Sequence, residues 1–331
     1  MTTTAERPSR VPAVTTFEEL GVSPELTEVL HSQGISHPFP VQALTIPDAL
    51  TGHDVCGKAK TGSGKTLAFG LPLLMRVGRG SERRPKALVL VPTRELAIQV
   101  SEVVTQLAAC VHRRVVAVYG GSDIDRQMKR LRKGVDVVVA TPGRLIDLCE
   151  RGEASVRDIE VVVLDEADRM ADMGFLPQVD WLLRRIETPH QTMLFSATLD
   201  GDVDRLVKRH LKDPLRREVV SVTTTVESME HRFLLVHQMD KVKVAAAICE
   251  GASKVLTFVR TKRGADRLVK QLHREGVNAA AIHGDLSQHN REKALAHFTS
   301  GRTAVLVATD VAARGLDISD VDVVVHYDPP E

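Results

Sequence analysis

Short apolar runs alternate with amphipathic stretches along most of the chain. In the first half, the apolar runs occupy residues 87–91, 115–118, 135–140, 161–164 and 193–195. Continuous apolar runs of this length are typical of strands buried on both faces, and helices between them imply parallel strands. The pattern therefore predicts an α/β fold built on a parallel sheet.

The alternation lapses around residues 212–228 and then resumes, with further apolar runs at 233–236, 255–259, 279–282, 304–308 and 321–325. The length of 331 residues also corresponds to two domains at ~150 residues each. We therefore predict a flexible N-terminal arm over residues 1–16, a first domain over 17–212, a linker over 213–228 and a second domain over 229–331.

Composition narrows the class of protein. The 44 basic and 43 acidic residues give a net charge of +1, so a bound polyanion would have to be held by local groups. The hydrophobic fraction of 43% excludes wholesale disorder, and no apolar run approaches the roughly 18 residues of a membrane span. Four scattered cysteines, no CxxC pair and no apolar N-terminal signal indicate a reducing compartment. We therefore expect a cytoplasmic protein without a membrane partner.

A candidate phosphate site lies at residues 59–66, which read AKTGSGKT between a short candidate strand at 54–57 and a helical stretch at 67–75. Strand, glycine-rich loop and helix in this order are typical of a P-loop. Lys65 would reach the β- and γ-phosphates and Thr66 would ligate Mg²⁺. The predicted nucleotide-contacting residues are Thr61, Gly62, Ser63, Gly64, Lys65 and Thr66. The loop opens with Ala59 where the general pattern has glycine, and a glycine-rich turn before a helix is the structural alternative.

Acidic residues follow one of the apolar runs directly: residues 165–168 read DEAD after the run 161–164. An acidic residue at the carboxyl end of a core strand is the usual Mg²⁺-binding partner of a P-loop, a role that falls to Asp165. Glu166 would orient and deprotonate an attacking water. A charged turn that ends a strand is the alternative, but the P-loop upstream favours nucleotide hydrolysis. These residues identify neither the nucleotide nor the process that hydrolysis drives.

Further segments match, in order, the motifs of one enzyme family. They are residues 34–42 with Phe17 upstream, 92–97 (PTRELA), 120–121 (GG), 141–144 (TPGR), 165–168 (DEAD), 196–198 (SAT), 255–262, 288–291 (QHNR) and 308–317 (ATDVAARGLD). The chain resembles the bacterial DEAD-box ATP-dependent RNA helicases from about residue 17 to residue 331. The resemblance implies two RecA-like parallel-sheet α/β domains in tandem, the second incomplete, with ATP and Mg²⁺ as cofactors and RNA as partner.

The resemblance also assigns roles to single residues. Gln42 would read adenine through its amide and Phe17 would stack on the base, although an apolar anchor for the arm is the alternative for Phe17. The implied catalytic residues are Lys65, Asp165, Glu166, Ser196 and Thr198; Asp317 joins the ATP site, and Thr66 and Asp165 hold the metal. The implied RNA contacts are Pro92, Thr93, Arg94, Gly121, Thr141, Gly143 and Arg144 in the first domain and Arg260, Gly284, Gln288, Arg291 and Thr309 in the second. Such residues suit phosphate and ribose, so RNA binding would be independent of base sequence.

We hypothesise that ATP closes the two domains onto a bent single strand of RNA and that hydrolysis reopens them. The sequence stops at Glu331 without motif VI. Motif VI supplies arginine fingers, whose loss lowers kcat by about 10³–10⁵. We therefore expect a chain truncated before this motif that binds ATP and hydrolyses it poorly.

A nucleotide-controlled RNA clamp with little turnover is the first alternative, a DNA translocase the second and a P-loop kinase or transporter ATPase the third. Protein partners would bind through tails outside this sequence.

Overall fold

A computed structural model describes residues 16–60, 62–219, 230–309, 318 and 320–329 of the chain. The chain divides into two compact units, Met1–Val222 and Thr223–Glu331. The predicted arm, apart from residue 16, and residues 220–228 of the predicted linker lie outside the described ranges. No helix in those ranges has the length and hydropathy needed to cross a lipid bilayer.

The first unit is built on a seven-stranded sheet in which every pair of neighbouring strands is parallel. Its strands are β1 (Val55–Lys58), β2 (Ala87–Leu90), β3 (Val115–Val118), β4 (Val137–Ala140), β5 (Val161–Asp165), β6 (Gln191–Ser196) and β7 (Leu215–Glu218). Their order across the sheet is β3-β4-β2-β5-β6-β1-β7. The carboxyl ends of all seven strands therefore lie at one edge, where parallel sheets carry their functional loops.

Nine helices are described in the first unit. They are α1 (Pro24–Ser32), α2 (Pro40–Leu50), α3 (Lys65–Arg76), α4 (Arg94–Cys110), α5 (Ile124–Arg132), α6 (Pro142–Glu150), α7 (Ala167–Asp172), α8 (Leu176–Leu183) and α9 (Gly201–His210). Phe69 of α3 and Val100 of α4 belong to the apolar cluster on one face of the sheet, and Leu145 of α6 and Leu182 of α8 to the cluster on the other. Helices cover both faces, which explains why the central strands read as unbroken apolar runs.

The second unit has a smaller parallel sheet with the strand order β11-β8-β10-β9. Its described elements are α10 (Lys241–Glu250), β8 (Val255–Val259), α11 (Lys262–Arg274), β9 (Ala279–Ile282), α12 (Gln288–Thr299), β10 (Val305–Thr309) and β11 (Val323–His326). The central strand β10 is buried along its whole length. The prediction of two α/β units with parallel sheets is confirmed.

The predicted start of the linker is wrong. Residues 215–218 form β7, an edge strand that pairs with β1 and belongs to the first unit. Two ion pairs stabilise it: Glu218 with Lys58 at 2.7 Å and Arg217 with Asp48 at 2.6 Å. An edge strand with charged side chains has no apolar run, so the hydrophobic pattern could not reveal it.

The predicted strand at residues 233–236 is also wrong. This segment has no regular secondary structure, and the side chains of Phe233 and Leu235 are fully open to solvent, at 96% and 106% relative exposure. An apolar run forms a strand only where a neighbouring strand supplies hydrogen-bond partners. Within the described ranges, no strand pairs with this segment.

Candidate nucleotide site and nucleic-acid-contacting loops

The glycine-rich loop joins the end of β1 to the start of α3. Gly62 and Gly64 have φ angles of 79° and 85°, in the left-handed region that favours glycine. At Gly64 a Cβ atom would also lie 2.6 Å from the ring of Phe39, so a larger residue does not fit. The buried Lys65 side chain donates from Nζ to the carbonyl oxygen of Ala59 at 3.2 Å. This bond keeps the lysine ammonium inside the loop.

The remaining loop residues are less enclosed. Ser63 donates from its hydroxyl to the carbonyl oxygen of Lys60 at 2.7 Å, and Thr66 is half-buried in the first turn of α3. Thr61 lies outside the described residues. The N-terminus of α3 thus stands beside a buried lysine, and backbone N–H groups with such a cation are the arrangement that binds a triphosphate.

Buried polar residues fix the strand that carries this loop. The Asp54 carboxylate, just before β1, accepts the N–H groups of Thr192 and Lys212, both at 2.7 Å. The Gln191 side chain donates from Nε2 to the carbonyl oxygens of Ala49 and His53 at 2.8 and 2.6 Å. β1 is therefore tied to β6 and to the chain entering β7, which gives the loop a rigid base.

Asp165 is the last residue of β5 and is only 2% exposed. Burial raises the pKa of its carboxyl to about 6, although the positive charge of Lys65 acts in the opposite direction. Only β6 separates β5 from β1 in the sheet, so Asp165 and the P-loop follow strand ends at the same edge. A carboxylate held in this dry environment gains strongly from a bound cation.

The residues present fit ATP and Mg²⁺. In the described part of the chain, no group of three or more His, Cys, Asp or Glu side chains could hold a metal ion by itself. Mg²⁺ typically takes one or two protein carboxylates and completes its shell with substrate phosphates and water. Thr66 and Asp165 would hold the ion in this way, with Lys65 on the phosphates.

Glu166 sits in a strained position directly after β5. Its φ and ψ angles of 53° and 51° are left-handed, which is uncommon for a non-glycine residue and clusters at functional sites. Arg169 donates from Nη1 to Glu166 Oε2 at 2.8 Å, and the glutamate side chain is only 4% exposed. The carboxylate of the predicted base is thus held in one orientation by a residue that the sequence analysis did not single out.

Ser196 links the acidic segment to the neighbouring strand. Its hydroxyl, at the end of β6, accepts the N–H of Asp168 at 3.2 Å and is fully buried. A hydrogen bond at Ser196 therefore joins the SAT and DEAD segments, and the catalytic role of Ser196 stays a prediction. Thr198 is exposed two residues further on, and its catalytic role stays a prediction.

The aromatic residue predicted to stack on the base is fully buried. Phe17 has no exposed surface and belongs to the apolar cluster that also contains Leu26 and Leu30 of α1. Its position matches the alternative role of an apolar anchor. Stacking on a base needs an open ring face, which Phe17 does not offer in this structure.

Phe39 is the aromatic side chain that does lie open beside the P-loop. It is 57% exposed, it packs near Gly64, and its N–H donates to Gln42 Oε1 at 2.8 Å. Gln42 also donates from Nε2 to the carbonyl oxygen of Gly64 at 2.9 Å. Phe39 could not be singled out from the sequence, because the position of a residue within a motif does not show whether its side chain is exposed.

The predicted RNA-contacting residues of the first unit follow three adjacent strands: β2, β4 and β3. The Arg94 guanidinium lies against Gly120, where a Cβ atom would be 3.4 Å from Arg94 Nη2. Arg144 reaches the carbonyl oxygen of Ser122 at 3.4 Å. The starts of α4 and α6 and the loop before α5, which carries Gly121, therefore form one surface.

Not every side chain in this set faces solvent. Pro92 and Thr93 are buried, and the Thr93 hydroxyl accepts the N–H of Leu96 as the N-cap of α4. Thr141, directly before α6, is half-buried. A Cβ atom added to Gly143 would have no neighbouring atom within 4 Å. Only the exposed members of the set can contact RNA through side chains as they stand.

The second unit repeats this arrangement on a smaller scale. Arg260 follows β8, Gly284 follows β9 and Thr309 ends β10, so all three lie at the carboxyl edge of the sheet. Gln288 and Arg291 lie in the first turn of α12. Gln288 is 5% exposed, and its amide donates to Glu292 at 3.1 Å, so it is less accessible than predicted. Asp317 lies outside the described residues.

Comparison with known proteins decides the family. The signature of the DEAD/DEAH box helicases matches residues 39–206, and that of the helicase conserved C-terminal domain matches residues 237–331. The chain belongs to the DEAD/DEAH box helicase family. This agrees with the P-loop, the DEAD strand end and the two parallel sheets, and it confirms the resemblance inferred from the ordered motifs.

Relatives of this DEAD-box chain include proteins named DEAD-box ATP-dependent RNA helicase CshA. The chain is 42% identical to CshA of Geobacillus kaustophilus over 320 residues, which is 96% of the chain and 68% of that protein. Identity to CshA of Listeria monocytogenes is also 42%, over 61% of that protein. The chain thus spans roughly two thirds or less of the length of these relatives.

Solved structures of other DEAD-box proteins are similar to the chain. Saccharomyces cerevisiae Dbp5 bound to RNA and ADP BeF3 matches with a TM-score of 0.84 and 31% identity, over 95% of this chain and 81% of that one. A DEAD box protein from Methanococcus jannaschii matches with a TM-score of 0.58 and 32% identity, over 96% and 86%. The predicted fold of two RecA-like domains is confirmed by these matches.

Proposed function

We propose that this DEAD-box chain is an ATP-dependent RNA helicase that locally unwinds or remodels RNA. The observation that carries the proposal is the buried, oppositely charged pair of Lys65 and Asp165 at the carboxyl edge of the first sheet. Burying two charges is costly without a ligand that uses them. A nucleotide triphosphate with Mg²⁺ supplies charges of the matching sign.

Hydrolysis uses Glu166 as the base. A water aligned with the γ-phosphate transfers a proton to the Glu166 carboxylate as its oxygen attacks phosphorus, the bond to the β-phosphate oxygen breaks, and ADP and phosphate result. Arg169 holds the carboxylate in place for this step. Lys65 stabilises the charge on the phosphate oxygens, and Mg²⁺ at Thr66 and Asp165 supplies further electrostatic stabilisation when bound.

Adenine is selected by Gln42 and covered by Phe39. Gln42 is only 1% exposed and its amide is held by two backbone groups, so the base would have to approach it past the exposed Phe39 ring. An amide can accept from the adenine amine and donate to a ring nitrogen, a pattern that guanine reverses. Preference for ATP over GTP follows.

RNA binds along the loops at the carboxyl edges of both sheets. Arg94 and Arg144 in the first unit and Arg260 in the second supply cations for phosphates, with glycines that allow close approach of the backbone. ATP closes the two units onto a single strand, and hydrolysis reopens them. The affinity for ATP and the affinity for RNA must then be coupled reciprocally.

All four cysteines are free, which is consistent with a reducing cytoplasm.

The test is ATP hydrolysis by this chain with and without single-stranded RNA, measured beside ATP affinity. Glu166→Gln should retain ATP binding and lower turnover by about 10²–10⁴, whereas Glu102→Gln, an exposed residue on α4, should change neither. RNA binding that depends on ATP without any turnover would favour the nucleotide-controlled clamp. A chain that binds no ATP, or turnover indifferent to Glu166→Gln, would contradict the proposal.

A further inference from the structure

The outer face of α11 carries a continuous stripe of positive charge. Arg263, Arg267, Lys270 and Arg274 are all exposed and follow one another at intervals of four, three and four residues, which places them on one side of the helix. The opposite side of α11 is buried in the apolar core of the second unit. At 1.5 Å per residue, the four charges extend over ~16 Å. We call this surface the α11 stripe.

The α11 stripe is not neutralised by its surroundings. None of its four cations forms an ion pair with another described residue. By contrast, Arg184, directly after α8, pairs with Asp180 of that helix, and Lys208 pairs with Asp204 within α9. A surface without such pairs presents a net positive field to a partner.

A shallow groove of about 430 Å³ runs along the stripe, lined by its four cations, Asp266 and Gln271. Asp266 is the one acid of this lining, and its Oδ1 accepts from Nε2 of the buried His283 at 3.0 Å. The Asp266 side chain is 52% exposed, so one carboxylate faces the groove together with the four cations. The lining therefore carries four positive charges, one negative charge and one amide, and its net charge is positive.

The stripe begins where the proposed RNA path of the second unit lies. α11 starts two residues after Arg260, and a Cβ atom at Gly284 would lie 3.6 Å from Lys262 Cε. From this edge of the sheet, α11 runs back toward the amino ends of the strands, because it connects parallel β8 and β9. An RNA strand that leaves the loop surface can therefore continue along the stripe.

We propose that the α11 stripe is a second binding track for the phosphate backbone of RNA, outside the loops of the helicase motifs. This inference rests on the proposed function. At 3.4 Å per nucleotide, ~16 Å of stripe faces about five phosphates, which four cations nearly balance. Three of the four are arginines, whose guanidinium groups suit phosphate oxygens. The lining has no apolar anchor of the kind that a protein partner would bury.

The test compares short and long RNA. Binding of a labelled hexanucleotide and of a strand of about 18 nucleotides is measured by fluorescence anisotropy over a range of KCl concentrations, with a non-hydrolysable ATP analogue present. The stripe variant combines Arg267→Gln, Lys270→Gln and Arg274→Gln. Its control, Lys243→Gln with Lys254→Gln and Arg302→Gln, removes the same charge from other surfaces of the second unit.

The stripe variant should bind the long strand about tenfold more weakly at 0.1 M salt, and the slope of log K against log salt should fall by about 2, because three phosphate contacts are lost. Hexanucleotide binding should not change. Equal losses in stripe and control variants, or equal losses for both lengths, would overturn the proposal. So would displacement of the long strand from the unsubstituted chain by polyglutamate as readily as by unlabelled RNA. Absence of binding to either RNA by the unsubstituted chain would contradict the proposed function itself.

Discussion

The side chain of Gln42 donates to the carbonyl oxygen of Gly64 at 2.9 Å while accepting the N–H of Phe39 at 2.8 Å. An amide nitrogen has two hydrogens and an amide oxygen has two lone pairs. Gln42 can therefore keep both bonds and still offer one donor and one acceptor to a base. Under the proposed function, this fixed orientation lowers the entropy cost of nucleotide binding.

Gln42→Ala should weaken ATP binding about tenfold or more and leave GTP binding almost unchanged, because only adenine uses the free donor and acceptor. The free energy of unfolding should fall by about 1–2 kcal/mol because two backbone groups lose their partners. Titration calorimetry and chemical denaturation measure the two effects. Gln33→Ala, at an exposed glutamine, is the control. Equal losses for ATP and GTP would contradict adenine reading by Gln42.

Phe39→Ala should lower ATP affinity by about 1–2 kcal/mol, the usual contribution of one base–aromatic contact. Phe39→Tyr keeps the ring and should restore the affinity. Both variants should unfold at nearly the same temperature as the unsubstituted chain, because more than half of this side chain is already exposed. An unchanged ATP affinity in Phe39→Ala would show that the ring does not contact the base.

Asp165→Asn should raise the free energy of unfolding of the nucleotide-free chain at pH 7.5 by about 1–3 kcal/mol. Burial raises the pKa of Asp165 to about 6, so the folded chain prefers the protonated carboxyl. The resulting stabilisation of the folded chain is complete at pH values below 3.8, the ordinary pKa of the group, and is lost as the pH rises through 6. The free energies of unfolding of the unsubstituted chain and of Asp165→Asn, measured at several pH values, should therefore become equal near pH 4. Asp200→Asn, at an exposed aspartate, should show no such trend, and a difference independent of pH would refute the explanation.

Ser196→Ala should remove the acceptor of the Asp168 N–H and lower the free energy of unfolding by about 1 kcal/mol, because a half-buried donor loses its partner. ATP affinity should be retained, whereas stimulation of hydrolysis by RNA should fall. Comparing KM for ATP with kcat at saturating RNA separates the two effects. Ser101→Ala removes a half-buried hydroxyl from α4 and serves as the control.

Gly57→Ala and Gly143→Ala should behave in opposite ways. At Gly57 a Cβ atom would lie 2.7 Å from the Phe195 ring, so overpacking should cost about 1–3 kcal/mol of unfolding free energy. At Gly143 the Cβ position is open, so stability should be preserved. A loss of RNA affinity in Gly143→Ala would then report a contact with RNA and not a folding defect. Thermal unfolding and RNA titration of both variants check this.

Much of the first unit could be predicted from the sequence because its central strands are buried on both faces. The run at 115–118 matches β3, and the run at 161–164 differs from β5 only by the terminal Asp165. The phosphate loop and the acidic strand end were likewise predictable, since glycine, lysine and aspartate at those positions have few other physical explanations. The local sequence pattern was sufficient to predict the structure wherever burial or backbone geometry allows only one type of residue.

The remaining features depend on contacts that no local pattern encodes. Strand β7 is held by ion pairs with residues far away in the chain, so its sequence reads as a linker. The apolar run 233–236 has the composition of a strand but no strand partner among the described residues. Phe17 and Phe39 are the same residue type, and only packing decides that one is buried and the other exposed.

The strand order also sets when the nucleotide site can form during synthesis. β1 carries the P-loop, but one partner strand, β6, is made much later: the bond from the Thr192 N–H to Asp54 spans 138 positions. At about 5–20 residues per second, the ribosome needs on the order of ten seconds to make that stretch. Until then β1 has neither neighbour in the sheet. We therefore expect that ATP does not stabilise the nascent chain before β6 has been made, so the earlier residues begin to fold without this ligand.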